Sequence, residues 1–84
     1  MDREDLIKIY DEHYLQLYLL CRVLGIADAE AIIIVSDVFI ELYKKVNKGE
    51  LLGDSNIQSF LFTTVREMSL QQIKQEAWQL IHPV

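Results

Sequence analysis

Asp37 to Gln75 reads DVFIELYKK, VNKGELLGDS, NIQSFLFTTVREMSLQQIKQ, and the fold turns on how that stretch is punctuated. The first piece is the end of an apolar helix that closes on Lys44 and Lys45, cations suited to a helix C-terminus. A loop with two glycines follows over 49–54. Ser55 and Gln58 spell S-x-x-Q, a capping box that predicts a new helix start. Ile57, Phe60, Leu61, Thr64, Val65 and Met68 then recur at helical steps, and the pattern continues weakly through Ile73 and Ala77. Trp78 is the residue most available for base stacking, but at helical spacing from Lys74 and Ile81 it reads equally as a cap on the core, the reading favoured here. His82, Pro83 and Val84 end the segment.

Upstream, the same periodicity predicts two more helices. One begins at Asp28 as N-cap and runs to about Asn47, with Ala31, Ile34 or Val35, Val38, Leu42 and Val46 as its core stripe. It carries more apolar surface than one stripe needs. Ile33, Ser36, Asp37 and Ile40 form a second face, which Lys44 extends by a turn. The other helix covers about 3–24, with Asp2 as N-cap and Glu4 and Asp5 in its acidic first turn. Its stripe is Leu6, Tyr10, His13, Leu17, Leu20 and Leu24, beside an aromatic row of Tyr10, Tyr14 and Tyr18. Gly25 is placed to accept the left-handed conformation that ends such a helix. The expected fold is all-α: a single domain of three main helices over about 3–24, 28–47 and 55–80. The first two should be antiparallel, with the third crossing them.

Bulk properties narrow the function. Eighty-four residues make one small domain, and 51% apolar residues supply a core for it. The longest apolar runs, 17–21 and 31–35, fall far short of the roughly 20 residues that span a bilayer. A single cysteine, Cys21, rules out an internal disulfide and fits a reducing cytoplasm. A net charge of -5 argues against tight non-specific nucleic-acid binding and favours a basic protein partner.

Nothing in the chain spells an enzyme. There is no HExxH, no CxxC and no phosphate-cradling loop, so no cofactor and no metal are expected. His13 reads as a packed core or boundary histidine and Cys21 as a small buried hydrophobe. Asp11 and Glu12 read as a solvated face. Ile33 and Ile40, beside Asp37, Glu41, Lys44 and Lys45, read equally as a partner-binding patch or as residues packed under the loop or the chain termini.

Two patterns carry a family resemblance. Ile33-Ile34-Val35-Ser36-Asp37-Val38-Phe39-Ile40-Glu41-Leu42 resembles the D-L-V-Q-D-V-F-x-x-L of region 2 in extracytoplasmic-function sigma factors. Phe60-Leu61-Phe62-Thr63-Thr64-Val65-Arg66-Glu67, with Gln71 and Lys74, resembles that region's W-L-x-T-I-A-R-N-x-x-x-D-x-x-R. The family's core positions stand here as Ile34, Val35, Val38, Phe39 and Leu42, and Asp37 is retained. Ile33 and Ser36 replace an acid and a glutamine. Glu67, Gln71 and Lys74 replace an asparagine, an aspartate and an arginine. The resemblance spans roughly 6–75, and no helix-turn-helix domain follows within the sequence, so the chain is expected to be a solitary region 2 or a piece of a longer sigma factor. It implies a role in transcription initiation without catalysis. On that resemblance Ile33, Ser36, Asp37, Ile40, Glu41 and Lys44 would face the clamp helices of core RNA polymerase. Arg66, Gln71 and Lys74 would face promoter DNA at the minus-ten element. The partners it implies are the polymerase, the promoter and an anti-sigma regulator. The alternative is a diverged sigma-like bundle that binds a protein partner, or itself as a homodimer, without DNA.

Overall fold

A computed structural model describes residues 2–50 and 53–82. They form three α-helices, α1 (Arg3–Val23), α2 (Asp28–Asn47) and α3 (Asp54–Ile81), and no strand is present among the described residues. The expected all-α bundle is the observed one.

Local chemistry sets the helix ends. Asp2 caps α1, its carboxylate accepting from the Asp5 backbone N–H at 2.9 Å. The C-termini of α1 and α2 close in the same way. Gly25 donates to the Arg22 carbonyl and Ile26 to that of Cys21, each at 3.0 Å. At the second end, Gly49 donates to Val46 at 2.9 Å and Glu50 to Lys45 at 3.0 Å. These paired bonds satisfy carbonyls that the helix leaves open, and they require a left-handed residue between them. Gly25 (φ 94) and Gly49 (φ 73) supply it at no side-chain cost. Arg22 adds a bond from Nη1 to the Ile26 carbonyl at 2.8 Å, bracing the first turn.

Two expected starts are displaced. The N-cap of α2 is Ala27, which makes no side-chain cap bond, and Asp28 is the first helical residue. The Asp28 carboxylate accepts instead from the Tyr18 hydroxyl, so a tertiary contact has taken the group that capping would use. Gly53 precedes α3, likewise without a side-chain cap bond, so the Ser55–Gln58 box does not form. Starting at Asp54 puts Ser55 inside the first turn, past the position from which a hydroxyl can cap. Leu51 and Leu52, the middle of the expected loop, lie outside the described residues, as do Pro83 and Val84 beyond α3.

The core lies where the three stripes meet. Leu17 and Cys21 from α1, Ala31, Val35, Val38 and Leu42 from α2, and Leu61 and Val65 from α3 are all fully buried, and Ile26 seals the first turn. Each full-sized aliphatic among them contributes about 1.5–3 kcal/mol by leaving water. Tyr10 rings contact Phe39, and Tyr18 reaches Asp28, so α1 and α2 run antiparallel as expected. Helix α3 packs on both. Cys21 is a buried core thiol, as read from the sequence, and it accepts a hydrogen bond from the buried Ser69 hydroxyl at 3.4 Å. His13 is a half-buried boundary residue whose Nδ1 is buried without a hydrogen-bond partner.

Two stripe assignments change. Tyr10 is 37% exposed, because it lies on the aromatic edge between Tyr14 (centroids 5.0 Å) and Phe39 (4.8 Å) instead of under the bundle. Ala77 and Trp78 are exposed, because α3 outlasts the helices it packs against. Trp78, at 64% exposure, covers no core residue and instead meets the His82 ring at 3.8 Å.

Candidate interaction surface on α2 and α3

The core stripe of α2 fixes which side of the helix is free. Ala31, Val35, Val38 and Leu42 point inward, so residues about half a turn away point to solvent. Ile33, Ser36, Asp37, Ile40 and Lys44 are all exposed there. Ile33 at 60% and Ile40 at 52% are not tucked under a loop or a terminus. Glu41, grouped with them in the sequence, is half-buried at the edge of this flank and pairs with Lys44 at 3.5 Å. Lys45 is turned away to Glu50 at 3.2 Å.

On one side this flank drops into an open groove of ≈ 600 Å³ between α2 and α3. Helix α2 supplies Glu30, Ile33, Ile34 and Asp37, and α3 supplies Glu67, Met68, Gln71, Gln72 and Gln75. The lining therefore combines three apolar side chains, three amides and three carboxylates, and it includes no cation. Such a surface attracts cations and repels phosphate.

The residues singled out from the sequence divide over this geometry. Ile33, Asp37 and Gln71 come together in the groove, while Ser36, Ile40 and Lys44 stay on the outer flank of α2. Arg66 and Lys74 are exposed on α3 and belong to neither. Glu30, Glu67, Met68, Gln72 and Gln75 were not singled out as groove residues. Glu30, Ile33 or Ile34 and Asp37 do recur at three- and four-residue steps, a signal that marks a shared helix side but not what lies across from it.

The opposite edge of α2 faces α1 and is aromatic. Tyr14 stacks on Tyr18 at 6.1 Å, extending the Phe39–Tyr10–Tyr14 row. The hydrogen bond from Tyr18 to Asp28, then burial, raises the Tyr18 pKa, and burial foremost raises that of Tyr10. No group of three or more potential metal ligands occurs among the described residues, and no helix among them is long and apolar enough to cross a membrane.

No protein-family model, curated protein or solved structure matches the chain.

Proposed function

We propose that this chain is a docking module of the sigma region 2 kind, which binds the clamp helices of core RNA polymerase through the outer flank of α2. It acts in transcription initiation by binding and catalyses nothing. One observation carries the reading: Ile33, Ser36, Asp37, Ile40 and Lys44 are exposed together, opposite a core stripe that already satisfies the bundle. Exposed isoleucines flanking a carboxylate and an ammonium group combine apolar area with charges that fix orientation, as partner-binding patches do.

On the same reading Arg66, Gln71 and Lys74 face promoter DNA. Glu67 stands beside Gln71 in the groove, and Glu30 and Asp37 add to the negative field there. Phosphate approach is thus opposed. The polymerase dock is the half of the role that this geometry favours. The acidic groove also favours a second reading, a diverged sigma-like bundle that engages protein partners without DNA.

Retention on immobilised core polymerase tests the first reading. Wild type should be retained, and Asp37→Arg combined with Ile40→Asp should abolish retention while circular dichroism stays helical. No retention of the wild type, or retention indifferent to those changes, removes the reading. A promoter fork that binds the chain tightly at physiological salt would remove the second.

A further inference from the structure

The last turns of α3 leave the bundle. Every residue from Lys74 to His82 is exposed, including Trp78 at 64%, Ile81 at 71% and Leu80 at 82%. A short helical end holds little stability of its own in water. Three large apolar side chains on it make a surface that association would cover.

Trp78 has a defined direction. Gln71 and Gln75 wall the groove between α2 and α3, and Trp78 and His82 follow them at three- and four-residue steps on the same side of the helix. The groove therefore runs on into an exposed indole. Charge also differs between the two halves of this surface: the groove is acidic, and the tail carries one cation, Lys74, and one acid, Glu76, whose carboxylate accepts from the Gln72 amide at 3.2 Å. Glu30, Asp37 and Glu67 line the groove without a cation. Lys74, one turn before Trp78, is the only cation between Gln71 and Ile81 and has no ion-pair partner among the described residues.

We propose that the occupant of the groove is the α3 end of a second copy of this chain, exchanged reciprocally. Trp78 and Ile81 of each protomer seat on the apolar floor formed by the partner's Ile33 and the partner's Met68. Groove and tail share one helix, so a two-fold axis crossing α3 near Gln75 lays both tails over both grooves at once, a closed isologous dimer. Helices α2 and α3 run back from the connection at 48–53, so Glu30 and Gln75, the lining residues farthest from it, share one end of the groove. Lys74 is next to the axis and faces the partner's Glu30 at that end. The dimer covers Ile33 and Asp37. On the polymerase-docking reading it is a self-blocked form that polymerase must displace, although the association itself stands without that reading.

The chain has one tryptophan, so sedimentation equilibrium and Trp78 fluorescence report the same event. Up to about 0.1 mM protein, a monomer–dimer equilibrium is expected, with emission moving to the blue and iodide quenching falling as dimer forms. Lys74→Glu should weaken the dimer about tenfold or more, and adding Glu30→Lys should restore it. A monomer throughout that range overturns the proposal. So does a dimer whose tryptophan stays fully quenchable, a dimer indifferent to Lys74→Glu, or an assembly larger than two. Polymerase retention is scored separately. Retention with no dimer removes only the dimer, and a dimer with no retention removes only the polymerase reading.

Discussion

The two flanks of α2 are both rich in branched aliphatic side chains and meet opposite ends. Val35, Val38 and Leu42 are fully buried, while Ile33 at 60% and Ile40 at 52% face solvent. Hydrophobicity does not separate them. What does is the presence of matching stripes elsewhere: Leu17 and Cys21 on α1 and Leu61 and Val65 on α3 meet one flank, and no fourth helix among the described residues meets the other. A helix in so small a bundle needs one apolar stripe. The second one is the surface on which the proposed docking rests.

Substitutions at equivalent depth along the two flanks should break this contrast if it is wrong. Leu42→Ala is expected to cost about 3 kcal/mol in chemical denaturation, through lost transfer energy and the cavity it leaves. Ile40→Ala should change stability by no more than about 0.5 kcal/mol. Equal losses would mean that both flanks are packed. Alanines sharpen the same point. Ala31→Leu must force bulk into a fully buried site and should cost about 2 kcal/mol. Ala29→Leu, on exposed surface, should be nearly neutral in the same assay.

The end of α2 affects both flanks equally. Gly49→Ala places a side chain at φ 73 and should lower thermal stability by about 1 kcal/mol without altering either flank's sensitivity. The smallest effect is expected at the α1-facing edge. The Tyr18 pKa is raised above its ordinary 10.0 by its hydrogen bond to Asp28. The folded state thus holds that proton more tightly than the unfolded one, and the contribution is fully present below about pH 10. It fades as pH climbs through the folded value. Tyr18→Phe should therefore flatten the alkaline limb of a stability–pH profile, and an unchanged limb would mean that the bond does not persist in solution.

Helix identity and the core were legible in the sequence because periodicity and composition agree across all three segments. Leu17, Val38, Leu42, Leu61 and Val65 follow directly from three- and four-residue steps. The exposed flank of α2 was legible by subtraction, as the stripe left over. Helix starts were less so. Asp28 has the chemistry of a cap but is claimed by Tyr18, a residue ten positions away that no local window includes. Trp78 was misjudged for a related reason. Periodicity states which residues share a side of α3, and burial depends on whether another helix reaches that far along it. The groove with its three carboxylates is likewise a property of two helices, so neither helix's pattern alone could reveal it.

Hydroxyl-radical footprinting, with and without core RNA polymerase, tests the claim for α2 most directly. In the free chain Ile33 and Ile40 should be oxidised readily and Val35, Val38 and Leu42 hardly at all. With polymerase present, Ile33 and Ile40 should become protected while the exposed Leu15 and Val23 on α1 stay reactive. Isoleucines that resist oxidation in the free chain, or that remain as reactive beside the polymerase as without it, would contradict the account.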